Sequence, residues 1–465
     1  MPLGDSMSLG GPAGERSGAA GSVLGAVTGS VLSALMGSAP DGPVPLRIAP
    51  ARLRLWAIGL FLIGLVPIVA APFFAFHDWP AFWSAGSVVG SGDLVDGNRL
   101  IAWQATHGLS VGVFPYLPAS AFLLWPLAQL PLALAFWLWT TAMLACAMLA
   151  ARIAARVFGL SFWVAFGATL AWAPLTGAIV IGQNTPVALL LAMLAIEGLV
   201  AGGGGRAGIG TGLLLYKPTL GLPLVGLMVV RRRGRALAVV AVAVVAWYAA
   251  GVLAAGGDLG WPRVWLDTIT GYVADDAARN ADKAISLPGL VARLPISPIV
   301  ALVAGAAVVL VALPRLLRAP IREAAAGACL VGVAASPHAY GYEAALALPF
   351  LWWVLGGGIV EPWRTRLVVA AYVLAPFWLV SAQTWISAVA VVVLGAVVVW
   401  VSGAWRAGGG GEVGIEAGNE LAGAPVAGAG TANDLAAADG RGTLAAVSAA
   451  GSAAVVTRAD RDRGG

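Results

Sequence analysis

Apolar stretches of about 20 residues recur along this chain. Each is long enough to cross a hydrocarbon core of about 30 Å as a helix, which rises about 1.5 Å per residue. Because lipid offers backbone amides and carbonyls no hydrogen-bond partner, these stretches must be helical. Charged residues make up only 11% of the sequence, whereas about 25% is usual in a water-soluble domain. The sequence therefore predicts an all-α fold, a polytopic transmembrane helical bundle.

We predict about twelve spans, because that many apolar stretches of suitable length can be separated. In an alternative topology, residues 115–130 are re-entrant and residues 207–230 are broken at Lys217-Pro218. The predicted spans cover residues 52–76, 115–130, 132–153, 160–181, 184–202, 207–230, 236–256, 298–316, 323–337, 341–356, 366–381 and 384–404.

Two long loops and two tails interrupt this pattern. Loops 77–114 and 257–297 exceed ordinary connector length and contain tryptophans, which favours short interfacial helices on the outer side of the membrane. Residues 1–50 and 406–465 are rich in glycine and alanine and have little apolar bulk, so we predict a disordered N-terminal arm and a disordered C-terminal tail. Residues 51–405 form the predicted transmembrane domain.

The net charge of +5 comes almost entirely from arginines, which cluster near the ends of predicted spans. The positive-inside rule places the clusters within 52–54, 231–235, 315–322 and 364–366 in the cytoplasm, and both termini with them. Basic residues in such positions indicate topology, so we expect membrane lipids as partners and no nucleic acid. Arginine-rich, lysine-poor usage is typical of a GC-rich bacterial genome, and for a bacterial polytopic protein we expect the inner (plasma) membrane.

Residues that could hold a metal or cofactor are scarce. The chain has three histidines and two cysteines, and none shows metal-ligand spacing. We therefore predict no metal site and no cofactor. The loop acids form either a loose divalent site or, in the simpler interpretation, solvated carboxylates: Asp93, Asp96, Asp275 and Asp276.

Asp78 follows the first predicted span, within His77-Asp78-Trp79-Pro80. In one interpretation it is an N-cap, because a proline in the first helical turn is typical of a helix start. In the other it is a catalytic carboxylate at the water–lipid boundary, suited to a substrate that is itself half lipid. The local sequence leaves both interpretations open.

A second polar segment, Gly182-Gln183-Asn184-Thr185-Pro186, lies at a junction between spans. It is typical of a turn in which the proline starts the next helix. Alternatively, Gln183 and Asn184 bond sugar hydroxyls or polar backbone groups inside the bundle.

Lys217 lies near the middle of the membrane if span 207–230 is continuous. A lysine there costs about 2.5–3.5 kcal/mol, so it normally faces a counter-ion, a cavity or an anionic ligand. The available counter-ions are Glu197 and Glu343, and a substrate phosphate is the alternative.

A polar block, Ser336-Pro337-His338-Ala339-Tyr340-Gly341-Tyr342-Glu343, interrupts the apolar sequence between two half-length spans. A lone histidine is usually a structural residue. This concentration of His338, Tyr340, Tyr342 and Glu343 favours the lining of a site.

These motifs, taken in order, resemble glycosyltransferase family 87, over roughly residues 52–400. The resemblance implies a GT-C fold and an inverting glycosyl transfer on the extracytoplasmic face, with a polyprenyl-phosphate sugar as donor, as in the polyprenol-phosphate-mannose-dependent α-mannosyltransferases of this family. It also implies that Asp78 is the general base. The motifs are Asp78-x-x-x-Phe82-Trp83-x-Ala85-Gly86, Pro115-Tyr116-Leu117-Pro118, Gly182-Gln183-Asn184, the segment from Gly212 to Lys217-Pro218, and Ser336-Pro337-His338 through Tyr342-Glu343.

The chemistry of such a transfer agrees with the residue types. It needs a base on the incoming hydroxyl and a cation near the departing phosphate. We predict Asp78 as the base and Lys217 or His338, or both, on the phosphate side. The other candidate substrate-binding residues are Tyr116, Gln183, Asn184, Tyr340, Tyr342 and Glu343.

The predicted activity is therefore that of a membrane hexosyltransferase, with mannose or glucose as the simplest sugars and a lipid-linked or glycan acceptor. The rival interpretation is a secondary transporter or a flippase of a lipid-linked or small polar substrate, because broken helices and a mid-span lysine also serve transport. Transfer of labelled sugar to an acceptor would indicate the enzyme, and uptake without linkage would indicate the transporter.

Overall fold

The computed structural model describes residues 78–110, 112–280, 283–294, 297–359, 363–374 and 382–403. Three predictions lie outside these residues: the arm at 1–50, the first span at 52–76 and the tail at 406–465. The α-helices are α1 Trp79–Ser87, α2 Gly97–Thr106, α3 Trp125–Ala128, α4 Leu132–Phe158, α5 Phe162–Ala171, α6 Ala173–Val180, α7 Thr185–Val200, α8 Gly204–Leu214, α9 Pro218–Val230, α10 Gly234–Ala254, α11 Trp261–Asn280, α12 Leu287–Ala292, α13 Pro298–Arg318, α14 Ile321–Ala335, α15 Leu348–Trp353, α16 Trp363–Val369 and α17 Ala382–Ser402.

The predicted all-helical class is confirmed. Besides the α-helices there are 3₁₀ segments at Gly92–Leu94, Pro118–Leu123 and Gly341–Ala347 and π-helical turns at Val354–Gly358 and Ala370–Leu374. Within the described ranges the β-structure is limited to an isolated bridge between Ala284 and Tyr340.

Among the residues that the structure describes, three helices are long and apolar enough to cross a membrane: Leu132–Phe158 in α4, Gly234–Ala254 in α10 and Ile299–Arg318 in α13. Helices α5 and α6 give a fourth if they form one span bent by 65°. These helices support the prediction of a membrane protein. The predicted number of about twelve spans is not confirmed by the part of the chain that the structure describes.

The prediction of one continuous span over residues 115–130 is wrong. The structure has the 3₁₀ segment Pro118–Leu123 and the short helix α3 there, each with a proline in its first turn. Proline lacks an amide hydrogen and its ring clashes with the preceding turn, so it starts a helix more readily than it continues one.

The alternative topology also predicted a break within residues 207–230, and that break is confirmed. Helix α8 ends at Leu214, and Pro218 begins α9, so Lys217 lies at the N-cap position of a new helix. Predicted span 341–356 is likewise divided into the 3₁₀ segment Gly341–Ala347, helix α15 and a π-helical turn. These breaks expose backbone polar groups inside the bundle, where only a site or a polar partner can satisfy them.

Both long loops contain helices, as predicted. Loop 77–114 contains α1 and α2, and loop 257–297 contains α11 and α12. Helix α11 is longer than expected, with 20 residues. Their location at the membrane interface stays a prediction.

Helix α8 packs closely on α7 through Gly210. A Cβ added there would lie 2.6 Å from the backbone nitrogen of Ala195 and 2.8 Å from the carbonyl oxygen of Leu191. These separations leave no room for a side chain, so the two backbones are in contact. Small residues at such contacts are typical of membrane helices, whose association depends on close packing.

Replacing Gly210 with alanine is expected to lower the thermal stability of the protein in detergent. Alanine favours a helix over glycine by about 0.5–1 kcal/mol, but overpacking of this kind costs about 1–3 kcal/mol, so the net effect is destabilising. Gly226→Ala in α9 is the matched control, since a Cβ added there meets nothing within 4 Å. Equal melting temperatures for the two variants would contradict the backbone contact.

Candidate functional site

Asp78 stands at the N-cap position of α1, but its side chain makes no hydrogen bond to that helix. The carboxylate Oδ2 instead accepts a hydrogen bond from Gln183 Nε2 at 2.6 Å, across 105 residues of sequence. The backbone amide of Asp78 donates to the carbonyl of Ile181 at 3.1 Å. Of the two interpretations of Asp78, side-chain capping is therefore wrong, and the half-buried carboxylate is directed at the α6–α7 junction.

The Gly182-Gln183-Asn184 segment forms the predicted turn, with Asn184 at the N-cap position of α7. Gly182 has φ +84°, a conformation that favours glycine, and a Cβ there would lie 2.9 Å from the Cβ of Trp79. Trp139 Nε1 donates to the Gly182 carbonyl at 2.9 Å. The turn thus holds Gln183 beside the start of α1. Asn184 is buried.

Tyr116 joins the same cluster from the non-helical stretch before residue 118. Its hydroxyl donates to Gln183 Oε1 at 2.9 Å, and Trp265 Nε1 donates to its carbonyl at 2.9 Å. Burial raises the pKa of the Tyr116 phenol well above its usual value, and the charges of Glu343 and Asp78 raise it further. The hydroxyl therefore stays protonated and available as a donor.

Lys217 forms an ion pair with Glu343, so one of the two counter-ions considered for it is observed. The other, Glu197, pairs with Arg156 at 2.7 Å and Arg206 at 3.1 Å. The Lys217 side chain is 11% exposed and that of Glu343 is 1% exposed. A buried pair of this kind has its charges compensated, and removing either partner would leave an uncompensated charge.

Aromatic rings flank the Lys217 ammonium on two sides. Its Nζ lies 5.3 Å from the ring centroid of Tyr116 and 5.6 Å from that of Tyr342. Both distances suit cation–π attraction. Tyr216, the residue before Lys217, stacks on Tyr116 with ring centroids 5.8 Å apart. The cation is therefore held by an anion and by the faces of two rings.

The polar block after α14 supplies the remaining side chains. The backbone amide of Tyr340 donates to Glu343 Oε2 at 2.8 Å. The His338 ring lies 4.5 Å from the ring of Tyr340 and 6.1 Å from the ring of Tyr272, measured between centroids. The block thus joins Glu343, and through it Lys217, to a histidine and to the second outer loop.

The structure brings the predicted residues into one connected cluster. Asp78, Gln183 and Tyr116 are linked by hydrogen bonds, Lys217 lies over the Tyr116 ring, and Glu343 pairs with Lys217. Tyr342, Tyr340 and His338 continue the cluster, and Asn184 lies next to Gln183 in sequence.

Three neighbours of the cluster were not predicted from the sequence: Trp139, Tyr216 and Tyr272. Only Tyr216 carried a signal, its position directly before Lys217 in a broken span. Trp139 and Tyr272 lie in apolar and loop sequence with nothing to distinguish them.

Among the residues that the structure describes, no group of three or more His, Cys, Asp or Glu side chains could hold a metal. Asp96 caps α2, accepting from the amides of Asn98 and Arg99, and its second oxygen lies 3.3 Å from Arg99 Nε. Asp93 lies 3.9 Å from the same guanidinium. These two acids therefore have structural partners.

Residues 114–337 match the sequence model of glycosyltransferase family 87. This region belongs to glycosyltransferase family 87. The resemblance noted in the motifs is thereby confirmed over residues 114–337. No curated protein and no solved structure gives a significant match to the chain.

The match supports a membrane glycosyltransferase, an activity that requires a sugar donor and an acceptor. The matched region includes Tyr116, Gln183, Asn184 and Lys217. Asp78 precedes it, and the block from His338 to Glu343 follows it. The contacts described above therefore connect the family 87 region to side chains on both sides of it.

Proposed function

We propose that this family 87 protein transfers a hexose, mannose or glucose, from a polyprenyl-phosphate sugar to a lipid-linked or glycan acceptor. The observation that carries the proposal is the arrangement around Tyr116. Its hydroxyl reaches Asp78 through Gln183, and its ring faces the Lys217 ammonium. A carboxylate linked to the hydroxyl of one buried side chain and a cation over its ring are the two groups that such a transfer needs.

Asp78 acts on the acceptor in this proposal. The acceptor hydroxyl oxygen attacks the anomeric carbon of the donor sugar while its proton passes to the Asp78 carboxylate. The bond between the anomeric carbon and the phosphate oxygen breaks, and its electron pair leaves with the polyprenyl phosphate. Attack from the face opposite the phosphate inverts the configuration. Asp78 suits this role because it is half-buried, whereas Gln183 beside it is only 6% exposed.

Lys217 and His338 act on the phosphate. An ammonium group has three donors, so Lys217 can keep its bond to Glu343 while another N–H meets the departing phosphate oxygen. A positive group aimed at developing charge in a water-poor site contributes strongly to catalysis. His338 supplies a second donor from the polar block.

The sugar is bound between these two sides. Tyr340, Tyr342, Glu343 and Asn184 offer aromatic faces and hydrogen-bonding groups there. The site lies on the extracytoplasmic face of a bacterial inner membrane in this proposal, with both chain termini in the cytoplasm. No cofactor takes part in the proposed reaction.

The proposal is tested with purified protein in proteoliposomes that contain a bacterial glycolipid extract as acceptor. Synthetic polyprenyl-phosphate mannose and polyprenyl-phosphate glucose, each labelled in the sugar, are supplied in separate reactions. The expected result is label in a new glycolipid together with release of polyprenyl phosphate from one donor. Labelled donor or free sugar that crosses the bilayer without any new linkage would contradict the enzyme and indicate a transporter.

A further inference from the structure

Both the nitrogen and the oxygen of the Gln183 side-chain amide form hydrogen bonds within the protein. Its nitrogen donates to Asp78 Oδ2 at 2.6 Å, and its oxygen accepts from the Tyr116 hydroxyl at 2.9 Å. An ionised carboxylate can only accept, so the amide nitrogen must face Asp78. The amide oxygen then faces Tyr116, whose protonated hydroxyl is the donor. The direction of every bond in this short chain is therefore fixed.

The backbone around Gln183 is equally constrained. The amide nitrogen of Gln183 donates to the carbonyl of Ala178 at 2.8 Å, closing the end of α6. The carbonyl of Gly182 is held by Trp139, and the carbonyl of Tyr116 by Trp265. Gln183 therefore links two hydrogen-bonded backbone segments to the half-buried carboxylate of Asp78.

We infer that Gln183 is a positioning residue that orients the Asp78 carboxylate for proton acceptance, with Tyr116 holding the amide in place. This role replaces the sugar contact predicted for Gln183 from the sequence. It deepens the proposed function and rests on Asp78 being the base of that reaction. A residue with this role acts on the base and not on the substrate.

Two effects separate positioning from substrate binding. A donor to the charged carboxylate favours the charged form, so its loss makes Asp78 take up a proton at higher pH. Burial and the Asp78 charge raise the pKa of Tyr116 and of Tyr342, so both phenols stay neutral near pH 7. Lys217 and Glu343, which carry opposite charges in the same cluster, pair with each other. Loss of orientation also lowers kcat without weakening donor binding.

The test compares Gln183→Glu, Tyr116→Phe and a control, Gln104→Glu, in the proteoliposome transfer assay as a function of pH. Gln104 is also buried and bonds Ser84 and the carbonyl of Gly112, so it is a matched glutamine with a structural role only. For Gln183→Glu we expect the acid limb of the kcat/KM profile to move up by about one pH unit or more, since a charge-assisted bond is lost and a like charge is added.

For Tyr116→Phe we expect a smaller upward shift of the acid limb. The Gln183 amide keeps its hydrogen bond to Asp78 but loses the one that it accepts from the Tyr116 hydroxyl. The donor KM should stay within about twofold in both variants, while kcat falls by about tenfold in Gln183→Glu. Gln104→Glu should lower thermal stability without moving the acid limb. If Gln183→Glu fails to insert, Tyr116→Phe carries the test, because it removes a single oxygen atom.

Because Gln183→Glu also adds a charge, Tyr116→Phe decides between the two roles. An acid limb unchanged in Tyr116→Phe, together with a raised donor KM in both variants, would overturn the inference and return Gln183 to sugar binding. A spectroscopic titration separates this failure from failure of the proposed function. The infrared carboxyl signal that is lost in Asp78→Asn reports protonation of Asp78 with no sugar present. A shift of that signal in Tyr116→Phe, which adds no charge, would support the inference even if the wild-type protein transferred no sugar.

Discussion

Replacing Asp78 with asparagine is expected to lower the rate of sugar transfer by about 10²–10⁴-fold, the usual contribution of a general base. The fold should survive, because an asparagine oxygen can still accept the hydrogen bond that Gln183 Nε2 now donates to Oδ2. The asparagine amide has no affinity for the acceptor proton at neutral pH. The measurement is product formation from labelled donor in proteoliposomes, with insertion checked by thermal unfolding.

Asp93→Asn is the matched control for this substitution. Asp93 lies in the same loop, is 42% exposed and interacts with Arg99 only at 3.9 Å, so transfer by this variant should equal that of the wild type. A folded Asp78→Asn protein that transfers sugar at the wild-type rate would remove Asp78 from the role of base. Loss of activity in Asp93→Asn as well would assign the effect to the loop and not to Asp78.

Removing one partner of the Lys217–Glu343 pair is expected to destabilise the protein by about 3–5 kcal/mol. Either Lys217→Met or Glu343→Gln leaves the other charge buried and uncompensated, and that is the costly situation for a buried ion pair. The free energy of unfolding in mixed micelles measures the effect. Arg156→Met is the control: its side chain is 54% exposed, and such pairs contribute about 0–1 kcal/mol.

The double variant Lys217→Met, Glu343→Leu separates stability from catalysis. Replacing a whole buried pair with apolar side chains of similar volume is often neutral, so much of the lost stability should return. Sugar transfer should not return, because the departing phosphate has lost its cation. Recovery of both stability and transfer would limit the pair to a structural role.

The helical membrane class could be predicted because hydrophobicity and length are local properties of the sequence. The break at Lys217-Pro218 was also readable as an alternative, since a proline beside a mid-span charge disfavours a continuous helix. The error at 115–130 has the same physical origin. Its apolar composition suits a span, but Pro118 and Pro126 start separate short helices there.

The composition of the cluster could be predicted from the sequence, but its connections could not. The sequence offered Glu197 and Glu343 equally as partners of Lys217, because only the tertiary structure decides which carboxylate reaches the ammonium. The bond between Gln183 and Asp78 joins residues 105 apart, so no local pattern encodes it. It depends on Gly182, whose positive φ and close contact with Trp79 bring the α6–α7 turn against α1.

The proposed mechanism is tested most directly by an experimental structure of the protein with a phosphonate analogue of its polyprenyl-phosphate sugar. We expect the phosphonate beside Lys217 and the anomeric carbon between that group and Asp78, with an acceptor hydroxyl able to approach within about 3–3.5 Å. A sugar bound with its anomeric carbon away from Asp78, or with the phosphonate remote from Lys217, would contradict it.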